Sequence, residues 1–194
     1  GGIQETDILI SDGKIDAIGS SPNKTVERLN ASGLMVLPGI VDLHGDAFER
    51  QIMPRPGVSF PLKLAFLDTD RQLVANGITT AYHGITYSWE PGLRGRETVT
   101  KVMTALKNVS KRLGADTKCH LRFETFNFAA GDEVLNWILD RNIDFLAFNN
   151  HLPSIRKKIQ ENQSVSQFLE RSGLEKAAFL QLVEKLSERE HETT

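Results

Sequence analysis

Two side chains of the kind that bind metal ions stand two residues apart at the end of an apolar segment. Residues 36–46 read Val-Leu-Pro-Gly-Ile-Val-Asp-Leu-His-Gly-Asp, so His44 and Asp46 close a run of strand-forming residues. Because side chains alternate along a strand, the two should point to the same side. An imidazole nitrogen beside a carboxylate oxygen suits divalent zinc, manganese or iron. The pair therefore predicts the start of a hydrolytic metal site; a hydrogen-bonded structural pair is the alternative.

Histidines and charged residues recur at the ends of later apolar segments. One segment ends near His83 and another near His151, while a third carries His120, Arg122 and Glu124 at alternating positions, on one face. We favour Glu124 over His120 as a metal ligand because it lies nearer the C-terminal end of its segment. Arg122 is predicted to orient a carboxylate or to bind an anionic substrate, and an internal salt bridge is the alternative.

Arginines are concentrated in the loops that follow the first two of these segments. The first loop contains Arg50 and also Arg55, whose backbone freedom is restricted by a proline on each side. A stiff loop that presents a planar guanidinium suits phosphate recognition. We therefore predict that both arginines bind substrate phosphate, with solvated loop residues as the alternative. The second loop, residues 89–96, is predicted to form a lid or a surface turn.

The composition is that of a globular protein with a core, and it restricts the kinds of partner. The chain has 194 residues, of which 40% are hydrophobic, and a formal net charge of −2. Because there is no basic excess, nucleic-acid binding gains no support, and no apolar run is as long as a membrane span. The single cysteine, Cys119, excludes an internal disulfide and fits a reducing compartment. We therefore expect a cytoplasmic protein.

The hydrophobic pattern predicts two regions. In residues 1–38, short apolar runs around turn residues predict a small β-sandwich segment with strands at 7–10, 15–18, 26–29 and 34–37. From residue 39 onward, strands alternate with amphipathic helices. The predicted strands are 40–46, 79–86, 118–126 and 145–151, and the predicted helices are 63–76, 97–113, 132–141, 165–169 and 175–192.

Four strand–helix units in series predict a parallel sheet with right-handed crossovers. An eight-stranded TIM barrel needs eight such units, so residues 39–194 are predicted to form the N-terminal half of a distorted TIM barrel in an α/β protein. An open four-stranded sheet is the alternative. In either fold the C-terminal ends of the strands carry the functional site.

Several of these segments resemble those of one enzyme superfamily. A short N-terminal β layer followed by Leu-Pro-Gly-Ile-Val-Asp-Leu-His at 37–44 is similar to the entry of the amidohydrolase superfamily, and Gly77-Ile-Thr-Thr80 resembles its second-strand motif. The usual His-x-His is replaced by His44-Gly-Asp46. This departure, followed by Pro54-Arg-Pro-Gly57, resembles the PhnM family of phosphonate catabolism. His120-Leu-Arg-Phe-Glu124 and residues 148–153 match two later blocks of that family.

The resemblance implies an activity and a set of roles. PhnM-family enzymes hydrolyse α-D-ribose 1-methylphosphonate 5-triphosphate and release diphosphate, and a metal-bound hydroxide attacks phosphorus in the implied mechanism. For this chain we therefore expect a phosphorylated sugar as substrate and a divalent metal as cofactor, zinc ahead of manganese or iron. The implied metal ligands are His44, Asp46, Glu124 and His151, and the implied substrate-binding residues are Arg50, Arg55, Arg122 and His83.

Two other functions remain open on the sequence. The first is a cyclic-amide hydrolase or deaminase of the same superfamily, which would need neutral substrate contacts in place of arginines. The second is a non-catalytic fragment or pseudoenzyme used for assembly. The superfamily also has His and Asp ligands on later strands. We therefore expect residues 1–194 to be incomplete for catalysis, with the remaining barrel half supplied by further polypeptide or by a second copy of the chain.

Overall fold

The computed structural model describes residues 2–19 and 27–193, which belong to two compact units, Gly1–Pro38 and Gly39–Thr194. The strands are β1 (Ile8–Ser11), β2 (Lys14–Ile18), β3 (Ile40–Gly45), β4 (Ile78–Tyr87), β5 (Asp116–Glu124) and β6 (Phe145–Asn149). The helices are α1 (Ala47–Ile52), α2 (Leu62–Ala75), α3 (Arg96–Val109), α4 (Gly131–Leu139), α5 (Leu152–Gln160), α6 (Ser166–Ser172) and α7 (Lys176–Glu188). Within this part of the chain, no helix is both long and apolar enough to cross a membrane.

The described residues of the first unit contain an antiparallel hairpin of β1 and β2. Its two turn residues, Asp12 and Gly13, both have positive φ, at 52° and 74°, which is the backbone that an Asp-Gly turn favours. No strand forms in residues 27–38, so the strand predicted at 34–37 is absent. The strand predicted at 26–29 lies partly outside the described residues. The predicted β-sandwich segment is therefore not confirmed.

The second unit is built on a curled parallel sheet with the strand order β3-β4-β5-β6. Consecutive strands are neighbours, and each pair is parallel. This topology requires a crossover after each strand, and helices α2, α3 and α4 supply the three crossovers. The predicted α/β class is confirmed, and the curled sheet is consistent with the predicted partial barrel.

The crossover helices cover one face of the sheet. The buried side chains of α3 are Val99, Val102, Leu106 and Val109, which recur at intervals of three or four residues and form one apolar stripe. They pack in a core that also contains Leu121 of β5. Because side chains alternate along a strand, Arg122 and its neighbours at every second position point to the opposite, inner face of the sheet.

Helices α5, α6 and α7 form a second hydrophobic core at the C-terminal ends of the strands. This core consists of Phe126, Leu152, Ile155, Val165, Phe168, Phe179, Val183 and Leu186. Phe126 follows β5 by two residues, so the core is attached where that strand ends. The fourth strand was predicted to end at residue 151, whereas β6 ends at Asn149, and the helix α5 that begins at Leu152 was not predicted.

Candidate functional site

The inner face of the sheet brings together side chains from two strands, β3 and β5, near their C-terminal ends. His44 lies on β3, Asp46 directly follows that strand, and Arg122 lies on β5. The Nε2 atom of His44 is 3.6 Å from Oδ2 of Asp46, and an Nη atom of Arg122 donates to Oδ1 of Asp46 at 3.3 Å. The predicted proximity of His44 and Asp46 is therefore observed. The ion pair of Arg122 with Asp46 agrees both with the predicted orienting role and with its alternative, an internal salt bridge, so the role of Arg122 stays a prediction.

Gly84 of β4 leaves the space that this arrangement needs. β4 lies between β3 and β5, so the guanidinium of Arg122 must cross it to reach Asp46. A Cβ atom at position 84 would lie 2.7 Å from Oδ1 of Asp46 and 3.4 Å from Cδ of Arg122. A larger residue would therefore push one of the two charged side chains away. In the sequence His83-Gly84 the signal lies in the glycine, whereas the prediction concerned the histidine.

His120 is fixed one layer below Arg122 on the same face. Its Nδ1 lies 3.1 Å from the backbone oxygen of Leu43, and its ring centroid is 5.0 Å from that of His44. Because a carbonyl oxygen only accepts, Nδ1 carries the proton and Nε2 holds the lone pair. Burial lowers the pKa of His120, and the neighbouring His44 and Arg122 lower it further. The imidazole is therefore neutral, and its buried Nε2 has no partner among the described residues.

Glu124 and His151 form a second pair at the end of β5. The Nδ1 atom of His151 donates to Oε1 of Glu124 in a short hydrogen bond, and the backbone N–H of His151 donates to Oε2 at 3.2 Å. The Glu124 side chain is only 3% exposed, whereas that of His151 is 45% exposed. The two predicted ligands are thus brought together, but both carboxylate oxygens already accept hydrogen bonds from the histidine.

His44 and Asp46 have the donor atoms and the approximate spacing of two ligands of one metal ion. Across residues 2–19 and 27–193, no group of three or more His, Cys, Asp or Glu side chains is arranged to hold a metal ion. His44 and Asp46 come nearest, because their 3.6 Å separation needs to shrink only to about 3.0–3.4 Å to match two ligands of one ion with bonds of about 2.0–2.1 Å. The donor set therefore fits a divalent cation as a partial site that needs ligands from elsewhere.

His83 lies away from these groups, on the face of β4 that packs against helices. Its ring makes edge contacts with Phe48 and Phe66, at centroid distances of 5.4 and 5.6 Å. Burial lowers its pKa to about 4, against the opposing attraction of Asp42 and Asp70. The substrate-binding role predicted for His83 stays a prediction, and the structure places its ring in the core.

The loop arginines Arg50 and Arg55 are exposed. Arg50 lies in the last turn of α1, and Arg55 lies in a tight turn in which its backbone oxygen accepts from the N–H of Val58 at 3.0 Å. Neither guanidinium has an ion-pair partner in the described part of the chain. Both guanidinium groups are therefore available for an anionic ligand.

The loop at 89–96, predicted as a lid or a surface turn, is anchored by two ion pairs to residues far away in the sequence. Arg94 donates two hydrogen bonds to Glu49 of α1, at 3.2 and 2.8 Å. Glu90, whose side chain is fully buried, accepts from Arg171 of α6 at 2.5 Å. Burial raises the pKa of Glu90, while Arg171 opposes that shift. These contacts join the loop to α1 and to α6.

One cavity lies away from the strand ends. It has a volume of about 560 Å³ and lies between α3 and α4, where Lys107, Thr117 and Trp137 are among its lining residues. Thr117 is near the N-terminal end of β5, whereas His44, Asp46 and Glu124 lie at C-terminal ends. In parallel α/β sheets, function is associated with the C-terminal ends, so we assign no catalytic role to this cavity.

Comparison with known proteins gives one informative similarity. The chain is 30% identical over 118 residues to the α-D-ribose 1-methylphosphonate 5-triphosphate diphosphatase of Escherichia coli K12, an alignment that covers 59% of the chain and 31% of the relative. The chain thus spans about a third of that enzyme's length. No family model matches the chain, and no solved structure matches it.

The geometry limits what the described residues can do together. Asp46 is negatively charged beside a guanidinium and an imidazole, so it can hold a cation only in competition with Arg122. His151, whose side chain is 45% exposed, follows β6, which lies at the opposite edge of the sheet from β3. The inner face therefore offers two separate groups of donor atoms, one at Asp46 and one at His151.

Proposed function

We propose that the chain is the N-terminal portion of a cytoplasmic, metal-dependent hydrolase that acts on a phosphorylated sugar, by analogy with the bacterial diphosphatase to which it is similar. The observation that carries the proposal is the 118-residue similarity to that enzyme. It is supported by the pair His44 and Asp46, which lies at the C-terminal end of a strand in a parallel sheet, where such folds carry their chemistry.

In this proposal His44 and Asp46 hold a divalent cation, zinc ahead of manganese or iron. When bound, the cation would acidify a water molecule and neutralise charge that develops on the phosphate. Arg122 orients the Asp46 carboxylate through its 3.3 Å contact, and Gly84 keeps that path clear. Glu124 and His151, the other two implied ligands, are joined to each other by two hydrogen bonds.

The loop arginines would bind the substrate phosphates. Arg50 and Arg55 are exposed and unpaired within the described residues, so binding an anion would cost neither of them an existing ion pair. A guanidinium can make two parallel hydrogen bonds to one phosphate group, a geometry that an ammonium cannot reproduce. This part of the proposal distinguishes a phosphate ester from the neutral substrates of cyclic-amide hydrolases and deaminases.

The missing ligands would come from polypeptide that completes the barrel, either a further segment or a second copy of this chain. Support comes from the two edge strands. Ile40, Val41 and Leu43 of β3 are more than half exposed, and Phe145 and Phe148 of β6 are 49% and 69% exposed. Exposed apolar residues on a parallel edge are typical of a surface that another element covers.

The proposal is tested by metal content and hydrolysis in the intact protein. We expect elemental analysis to find a bound divalent metal, and we expect Asp46→Asn to lower both metal content and turnover of the triphosphate. Asp132→Asn, which removes an exposed carboxylate on α4, is the matched control. An Asp46→Asn variant with wild-type metal content would refute the ligand assignment.

The substrate class is tested with the arginine loop. Arg55→Lys keeps the charge and loses the planar fork, so binding of the triphosphate should weaken by about 1–3 kcal/mol. Arg71→Lys, on the exposed side of α2, should leave binding unchanged. Faster turnover of neutral cyclic amides than of phosphate esters would favour the alternative hydrolase. An intact protein with neither metal nor activity would favour a non-catalytic role.

A further inference from the structure

The C-terminal end of β3 contains one residue more than the matching part of β4. Asp42 lies opposite Ala81, and Gly45 lies opposite His83, so three steps along β3 match two steps along β4. This is the spacing of a β-bulge, in which the extra residue loses its regular partner in the ladder. Bulges are frequent beside functional sites because they change the direction of a side chain. The extra residue lies between Asp42 and Gly45, in the stretch that contains His44.

The backbone N–H of His44 is bonded to a side chain at this bulge. Oδ1 of Asp42 accepts the N–H at 3.0 Å. The other carboxylate oxygen lies against Gly45, since a Cβ atom at that position would be 3.1 Å from Oδ2 of Asp42. The Asp42 side chain therefore folds back over the bulge and supplies the acceptor that a regular strand would receive from its neighbour.

The backbone of the bulge also determines how the side chains around it are arranged. The carbonyl oxygen of Leu43 lies 3.1 Å from Nδ1 of His120, and the ring centroids of His44 and His120 are 5.0 Å apart. Asp46 follows directly after the strand, with its Oδ2 atom 3.6 Å from Nε2 of His44. The direction of the His44 side chain thus depends on the backbone that Asp42 holds.

We infer that Asp42 is a positioning residue, which holds the bulge through the N–H of His44 and so directs His44 towards Asp46. The functional part of the inference rests on the proposed function, because it takes this pair as the cation site. The contact requires an acceptor oxygen but no charge. The competing role for Asp42 is electrostatic, since its charge raises the pKa of His83 against the larger effect of burial. Asp42→Asn separates the two roles, because asparagine keeps an acceptor oxygen and removes the charge.

The first test needs neither metal nor activity. In the intact, metal-free protein the amide of His44 should exchange slowly with solvent, and nuclear Overhauser contacts should join the rings of His44 and His120. Both signals should persist in Asp42→Asn and be lost in Asp42→Ala. Asn30→Ala is the matched control, because Asn30 accepts the N–H of Ser32 at 3.0 Å over the same spacing in the other compact unit. A His44 amide that is equally protected in the wild type and in Asp42→Ala would overturn the inference.

The second test measures the affinity of the intact protein for Zn²⁺. Loss of one hydrogen bond to a charged group should weaken binding roughly tenfold in Asp42→Ala, whereas Asp42→Asn and Asn30→Ala should bind as the wild type does. Equal weakening in Asp42→Asn would show that the charge matters, and it would overturn the positioning role. If Asp42→Ala does not fold, Asp42→Val takes its place, because valine also lacks an acceptor and suits a strand.

The two tests distinguish failure of this inference from failure of the proposed function. If the wild-type protein binds no Zn²⁺, the proposed function fails, while amide exchange and the ring contacts still decide whether Asp42 positions His44. If Zn²⁺ binds and its affinity is unchanged in Asp42→Ala, the inference is wrong and the cation site proposed at His44 and Asp46 is unaffected.

Discussion

The buried imidazole of His83 should make the folded state sensitive to acid. Its pKa lies near 4 in the folded protein because burial opposes the charged form, against 6.5 for an exposed histidine. Below pH 6.5 the unfolded chain takes up a proton that the folded chain excludes. Stability that is fully present above pH 6.5 is therefore lost progressively as the pH falls towards 4.

The size of the effect follows from these two pKa values. Proton linkage gives a loss of about 2 kcal/mol between pH 8 and pH 5, with a limit of about 3.4 kcal/mol well below pH 4. The assay is urea unfolding of the wild-type chain and of His83→Leu at several pH values. Leucine keeps apolar contact with Phe48 and Phe66 and cannot titrate. The difference between the two proteins isolates His83, since other titrating groups cancel.

The expected result is that wild type loses about 2 kcal/mol more than His83→Leu between pH 8 and pH 5. Parallel stability profiles over that interval would refute the argument, because they would mean that the folded protein protonates His83 as readily as the unfolded chain does. A wild-type protein that gained stability relative to the variant on acidification would require a charged partner for His83, and would contradict its position between two phenylalanine rings.

Two further predictions concern close contacts around the strand ends. Gly84→Ala should destabilise the fold by about 1–3 kcal/mol and lower metal content, because its Cβ would lie 2.7 Å from Asp46. Gly131→Ala is the control and should be tolerated, because a Cβ there meets open space. Equal metal content in the two variants would contradict the role of Gly84. Arg171→Met should cost about 3–5 kcal/mol in urea unfolding because it leaves the buried carboxylate of Glu90 unpaired, and adding Glu90→Gln should recover part of that loss. If the losses in the free energy of unfolding caused by Arg171→Met and by Glu90→Gln simply add in the double variant, the two residues are not coupled.

The regular part of the fold could be predicted because its hydrophobic pattern is local. The apolar stripe of α3 repeats at helical spacing, and observed α2 and α4 begin and end within four residues of the predicted limits. The failures have local causes as well. In residues 34–37, Leu-Met-Val-Leu has strand composition but no pairing strand, and strand formation depends on a partner that composition does not supply. No helix was predicted in residues 152–164, although Leu152, Ile155 and Ile159 recur there at helical spacing.

The site was predicted less completely. Whether a strand residue faces the site or the helices depends on what packs against each face of the sheet, and the sequence of the strand alone does not show this. The alternation rule placed His120, Arg122 and Glu124 on one face of β5, and the structure has them there. For β4 the second half is buried on both faces, so its sequence shows no alternation between buried and exposed residues. His83 was consequently assigned to the site, while Gly84, which faces Asp46, was not.

The strand-end site depends on contacts between segments that are far apart in sequence. Asp46 is paired with Arg122, 76 residues later, and Glu90 is paired with Arg171, 81 residues later. Gly92 has a φ of 78°, and a Cβ there would lie 2.3 Å from the backbone oxygen of Arg171, so α6 can approach the loop only at a glycine. Arg171 of α6 holds Glu90 in the 89–96 loop, and Arg94 of that loop pairs with Glu49 of α1, the helix that begins directly after Asp46. Substitutions in those helices should therefore affect the site without contacting it.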